Sequence, residues 1–282
     1  AFARRDADGK PEDAKGLMGY LTKLVYKRYL KNAQPIALVS MDNCSHNGEK
    51  LETVVKMVAD TWHKNGHVDA GFIDYLNTKV TFPWTMIDKI TPRPDANVMK
   101  VLADDGFEDG GLIGTSQNTF TSAFVNAEEK EYLVIEDRFL NGRLPLDKAG
   151  VYYATRETVE RVERMKVTTC LNPLHTCLAV FGCLLNFETI WQEMNDEDLK
   201  ALVNRIGYVE GMPVVTDPGI MSPKTFLGEV LTVRLPNCFL PDTPQRIATD
   251  TSQKLSIRFG ETIKAYLEKG MDVSNLKGIA LV

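Results

Sequence analysis

Thr155-Arg-Glu-Thr-Val-Glu-Arg-Val-Glu-Arg-Met-Lys166-Val-Thr-Thr-Cys-Leu-Asn172-Pro-Leu-His175 is the stretch at which this chain turns from α/β to mainly helical. Its first twelve residues form a charged amphipathic pattern with Val159 and Val162 on the buried stripe, which predicts a helix over 155–166. Glu163 and Lys166 lie three apart, so they share a face and can share a proton or a salt bridge. After a short β-prone stretch, Asn172-Pro173 reads as an N-cap and first helical residue ahead of the apolar run Leu174 to Leu185. His175 then falls in the first turn, where the helix dipole disfavours its charged form. A neutral imidazole there can hydrogen-bond a substrate hydroxyl, and a lysine in a partly dry pocket can act as a base near neutral pH. Each residue also has a plain reading: a surface ion pair for Glu163 and Lys166, a cap for Asn172, a satisfied structural imidazole for His175.

Upstream, apolar residues at 17, 20, 21, 24 and 25 predict a helix over 13–31, and Pro35-Ile-Ala-Leu-Val-Ser40 is a short run of buried-strand type. A second helix is expected after the loop 41–48, with Leu51, Val54, Val55, Val58 and Trp62 on one face and Gly66 as its stop. Strands are expected at 79–84, 131–136 and 151–154, with the Gly- and Asp-rich segment 104–114 a loop. Downstream, helices are expected over 195–206, 223–233 and 255–269, the last closed by Gly270. The domain change falls near residue 155, giving 1–155 as α/β and 156–282 as mainly helical. Gly106 to Gly114 is glycine-rich, but the spacing is not GxGxxG and no strand leads into it.

The 282 residues are 44% hydrophobic and 25% charged, ordinary for a folded globular chain. A net charge of -5, with no basic tract, argues against a nucleic-acid or anionic-membrane binder and for small-molecule chemistry. No apolar run reaches the roughly 18–20 residues of a membrane span. Five cysteines (Cys44, Cys170, Cys177, Cys183, Cys238) are an odd number, three in or beside an apolar helix, which fits reduced buried thiols in a cytoplasmic protein. Cys170, His175 and Cys177 offer a zinc alternative, but no CxxC or second ligand pair accompanies them.

Four segments in order carry a resemblance: Ser40-Met-Asp-Asn43-Cys-Ser-His-Asn47-Gly48, Phe82-Pro-Trp-Thr-Met-Ile-Asp88-Lys-Ile-Thr-Pro92, the run Glu163 to His175, and Pro241-Asp-Thr-Pro-Gln-Arg246-Ile-Ala-Thr-Asp-Thr-Ser-Gln-Lys254. Together they resemble the long-chain mannitol dehydrogenase family of polyol and sugar-acid oxidoreductases, in wording its uronate-reducing branch. The resemblance implies a zinc-independent dehydrogenase using NAD or NADP. It implies the remainder of a Rossmann-type domain followed by a helical substrate domain, with the site in the cleft between them. Carried over residue by residue, it makes Lys166 the acid/base and Asn43 and Asn172 the amides that polarise the carbonyl oxygen. His175 becomes a hydroxyl-binding residue and Glu163 a gate on the proton path. Arg246 and Lys254 then hold the far end of the substrate, with Asp88 also on the substrate.

The spacing departs from the family's polyol members in one place: Asn172 is six residues after Lys166 rather than five, so an extra residue in the short strand must be absorbed by a bulge. The family's glycine-rich turn and first strands should lie ahead of Ala1, and further helices after Val282, so the sequence reads as an internal piece. The expected reaction interconverts D-fructuronate and D-mannonate. Mannitol or a related polyol is the runner-up substrate. A different class of reading is a sugar-acid-binding fragment without turnover.

Overall fold

The computed structural model describes the chain except residues 1, 90–93, 117, 126, 128–131 and 241, and gives only the backbone of residues 2 and 88. The expected strand start at Glu131, the expected motif residues Pro92 and Pro241, and the side chain of Asp88 therefore lie outside the described residues. The chain divides into two compact units, Ala1–Asp88 with Tyr132–Glu160, and Lys89–Glu131 with Arg161–Val282.

In the first unit the periodic pattern around Trp62 becomes the helix Asn47–Lys64, with Val55, Val58, Ala59 and Trp62 fully buried. Val55 and Val58 each contribute roughly 1.5–3 kcal/mol by leaving water. The Trp62 indole N–H donates to the Asp6 carbonyl at 2.9 Å, and the Asp6 carboxylate accepts from the Gly16 N–H at 2.6 Å. Those bonds hold helices Phe2–Asp8 and Leu17–Asn32 against Trp62. Phe72 and Leu76 of helix Ala70–Thr78, an element the sequence reading does not anticipate, complete this core. The chain turns back through Gly66 in the left-handed region, φ 73°, where a side chain would be strained.

Strand Ile36–Ala37 pairs in parallel with Val80–Thr81, with two helices between them in the chain, which is the crossover expected of a Rossmann-type layer. The run expected as one strand over 79–84 is broken. Val80–Thr81 ends before Pro83, which has no N–H to donate, and a new strand Thr85–Asp88 pairs antiparallel with Tyr132–Glu136. The latter pairs in parallel with Tyr152–Ala154.

In the second unit, part of the segment expected as loop is ordered: helix Ala96–Asp104 runs into it, capped by the Asp95 carboxylate, and Ile113–Gly114 pairs with Phe120–Thr121. The expected helices at 195–206 and 223–233 form as Glu197–Asn204, capped by Asp196, and Pro223–Glu229, capped by Ser222. The third is longer than expected, Thr251–Leu255 continuing through Ser256–Gly260 into Glu261–Glu268.

Two expectations at the junction are corrected. Residues 167–171 are not β: Lys166–Cys170 is a π-helical turn between helices Arg156–Met165 and Asn172–Leu185, with the Leu171 N–H donating to the Lys166 carbonyl at 3.1 Å. That i→i+5 bond adds one residue to a helical turn, so the extra residue is absorbed by a helical bulge rather than a strand bulge. The cap is Leu171, not Asn172; Asn172 is already helical and Pro173 follows in the first turn. By length and composition the 30-residue run Arg156–Leu185 would pass for a membrane span, but 56% of its apolar window is buried inside this protein, as in a core helix.

Candidate active site

Asn172 and His175 project from the first turn of a helix whose other face is core, Leu174, Cys177, Leu178 and Ala179 being fully buried. The helix Pro244–Ala248 packs on that first helix and is capped by Thr243, whose hydroxyl accepts from the Arg246 N–H at 3.4 Å. Asp242 precedes this cap and links two of the expected residues. His175 Nε2 stands 3.3 Å from Asp242 Oδ2, while Arg246 Nε donates to Oδ1 at 2.7 Å and Nη2 also bonds Oδ1. The imidazole N–H is not well aligned on Oδ2, which has no hydrogen-bond partner among the described residues, so this approach is electrostatic.

The charges follow from these contacts. Burial pushes the His175 imidazole below its ordinary value, and Arg234 and Arg258 push the same way against the pull of Asp242. The lowered value favours the neutral ring, with burial as its main cause. Burial alone would raise the Asp242 carboxyl, but His175 and Arg246 hold it below its usual range, so it stays ionised. Arg234 and Asp242, with His175, supply the polar side of a pocket whose apolar wall is Leu171, Ile190, Leu235 and Leu240.

Lys254 donates to the carbonyls of Ile247 and, by a short contact, Thr249. One turn on, Arg258 Nη1 bonds the Asn172 carbonyl at 3.5 Å and, by a short contact, the Thr176 hydroxyl, which itself donates to the Asn172 carbonyl at 2.9 Å. The backbone of Asn172 is thus braced twice, while its half-buried side-chain amide makes no hydrogen bond among the described residues. Lys166 is buried at 3% exposure and Glu163 is half-buried, one turn apart. The Ser256–Gly260 turn packs on the Lys166–Cys170 turn, and the Thr262 hydroxyl donates to the Thr168 carbonyl at 3.1 Å. The thiols of Cys170 and Cys177 are pushed up to about 12 by burial, so both are protonated and poor metal ligands at neutral pH.

Asn43 belongs to the first unit, on the exposed loop between strand Ile36–Ala37 and helix Asn47–Lys64. Asn47 fixes that loop: its Nδ2 donates to the Ser40 and Asp42 carbonyls and the Thr85 hydroxyl, and its Oδ1 accepts from the Thr85 N–H at 3.0 Å. Gly48 is required beside it, since a Cβ there would fall 2.7 Å from Trp84 Cδ1 and 2.8 Å from the Phe82 and Pro83 carbonyl oxygens. Trp84 is stacked by His46 at 4.3 Å and approached by the Arg156 guanidinium at 4.7 Å, which is gripped bidentately by Glu136. The loop 40–48 and residues 82–85 of the second motif segment are therefore packed on one another.

Asp242, Arg234 and Arg258 are the site residues that the sequence reading misses. A carboxylate four residues before Arg246 was the available signal for Asp242. Nothing local marks Arg258, whose partner Asn172 lies 86 residues away.

Comparison with known proteins shows the family. The family described as the mannitol dehydrogenase Rossmann domain matches residues 7–148, and the mannitol dehydrogenase C-terminal domain matches residues 158–282. The chain belongs to the mannitol dehydrogenase family of oxidoreductases. It is 54% identical over 280 residues to D-mannonate oxidoreductase of Thermotoga maritima, covering 98% of this chain and 52% of that protein. It is 28% identical to D-arabinitol 4-dehydrogenase of Klebsiella pneumoniae, covering 92% of this chain and 52% of that one. A crystal structure of D-sorbitol dehydrogenase in substrate-free form superposes with a TM-score of 0.81 at 26% identity, over 99% of this chain and 54% of that one. The chain thus spans about half the length of the relatives it matches.

A buried acid outside this chemistry carries its own test. Glu193 is fully buried, with no hydrogen-bond partner on either oxygen among the described residues. It packs so tightly on helix Asn172–Leu185 that a Cβ at Gly182 would fall 2.0 Å from its Oε1. Burial pushes its carboxyl up to about 8. A folded-state value above the unfolded one means that stability is complete below the unfolded carboxyl's range and is lost as pH rises towards 8. Glu193→Gln cannot ionise, so its stability relative to the wild type should rise by about 3 kcal/mol between pH 5 and pH 8. Denaturant melts at the two pH values check this, and an unchanged difference would refute it.

Proposed function

We propose that the enzyme to which this chain contributes interconverts D-fructuronate and D-mannonate, with NAD or NADP as the hydride carrier. The observation that carries this reading is the nearness of Lys254 and Arg258, the latter bonded to the Asn172 carbonyl, with no carboxylate in ion-pair distance of either among the described residues of a chain whose net charge is -5. Cations gathered against the prevailing charge suit an anionic sugar acid. The likeness to the Thermotoga maritima D-mannonate oxidoreductase points the same way.

In this reading residues 1–155 are the remainder of the dinucleotide-binding domain and 156–282 the substrate domain. When bound, the nicotinamide gives or takes the hydride. No glycine-rich turn follows a strand among the described residues, so no contact to the dinucleotide is assigned. Lys166 takes the hydroxyl proton in oxidation and returns it in reduction, with Glu163 relaying it. Asn43 and Asn172 donate amide hydrogens to the oxygen as it becomes an alkoxide. Neutral His175 bonds a substrate hydroxyl, Asp242 orients that ring, and Arg246 and Lys254 hold the far end, with Asp88 assisting.

The test follows the absorbance of the reduced nicotinamide with the full-length enzyme: its loss as NADH or NADPH reduces fructuronate, and, for the alternatives, its appearance as mannitol, arabinitol or sorbitol reduces NAD or NADP in the oxidised form. Turnover of fructuronate is expected. A polyol dehydrogenase is the second reading, favoured by the Asp242 carboxylate that neutralises Arg246. Activity on polyols alone would establish it. Binding of mannonate without turnover of any of these would establish a non-catalytic module.

A further inference from the structure

We propose that Arg258, acting with Lys254, is the group that receives the substrate's carboxylate and so selects a sugar acid over a neutral polyol. The proposal rests on the uronate reading and names the residue that reading lacks.

Arg246 is poorly placed for the task because its charge is already answered. Two of its nitrogens converge on Oδ1 of Asp242, a carboxylate whose side chain is only 6% exposed. An incoming carboxylate would meet a neutral pair and would lie beside a fixed negative charge. Arg246 keeps further N–H groups for sugar hydroxyls.

Arg258 is in the opposite situation. Its hydrogen-bond partners among the described residues, the Asn172 carbonyl and the Thr176 hydroxyl, are both neutral, and both are taken by Nη1. Among the described residues no carboxylate lies within ion-pair distance of it, and Nε and Nη2 make no hydrogen bond. Lys254 stands four residues earlier on the same helical run, bonded only to carbonyls, with Asp250 near enough to be felt but not paired. Burial foremost, and then the charges of Arg258 and Arg246, depress the proton affinity of Lys254, so these cations feel one another. Two half-buried like charges without a counter-ion are costly in a folded protein unless an anion joins them. An Arg edge with two free donors matches a carboxylate bidentately, and a neighbouring ammonium adds a point charge. Because Nη1 also holds the Asn172 backbone, the carboxylate end and the reacting oxygen would be gauged from one side chain.

The test is steady-state kinetics of the full-length enzyme on fructuronate with Arg258→Met and Arg258→Lys. Arg258→Met is expected to raise KM about 10- to 150-fold with kcat within about threefold, and Arg258→Lys to fall between it and wild type. A merely structural role, acting through Asn172, would lower kcat and leave KM, and that result overturns the proposal. So does a variant whose KM stays at the wild-type value. Wild-type enzyme that binds and reduces only neutral ketoses would refute the uronate reading itself, and this proposal with it.

Discussion

Lys166→Ala should lower kcat on fructuronate by about 10²–10⁴ while KM stays within a few fold, the range for loss of one proton-transfer group. The separation arises because a base acts mainly in the transition state, whereas the substrate is gripped elsewhere, by His175, Arg246 and Lys254 in our reading. Lys166 is 3% exposed, so truncation also leaves a small cavity. Added primary amines small enough to enter it should restore part of the rate, increasing with amine concentration and pH. Near-normal kcat would remove Lys166 from the chemistry.

Asn172→Ala should cost about 10²–10³ in kcat, the typical loss of one donor aimed at a developing oxyanion. The fold should tolerate it, because what braces this residue is its backbone carbonyl, accepting from Thr176 and Arg258, and alanine keeps that carbonyl. The melting temperature should therefore change little while single-turnover rates collapse. Asn172→Asp should be at least as slow, since a carboxylate repels an alkoxide. Equal losses of stability and rate would mark Asn172 as a structural residue.

The sequence was most legible where one periodicity runs long. The stripe from Leu51 to Trp62 marks helix Asn47–Lys64, and the Gly66 stop coincides with a left-handed turn. Short elements such as Ala70–Thr78, and the break at Pro83 between two strands, lie below what an alternation of a few residues can resolve. At the site, the resemblance drew attention to Asn172, His175, Arg246 and Lys254, and the fold gathers them at one end of a helix. Asp242 and Arg258 escaped because a residue's importance there comes from partners 67 to 86 positions distant. The π turns escaped for a different reason: no side chain has a preference for them, and they arise from one residue too many between two packed helices.

The π-helical turn Lys166–Cys170 has counterparts of the same kind at Val230–Arg234 and Ser256–Gly260, and each contains one of the cations Lys166, Arg234 and Arg258. An ordinary insertion into a helix swings everything beyond it by about 100°, whereas a wound-in extra residue leaves the two flanks in phase. In our reading of Lys166 and Asn172 as the reactive pair, one residue more or less between them therefore leaves the bearing of both unchanged. A single-codon insertion or deletion taken up by that turn would change the length of the chain there without re-aiming the pair.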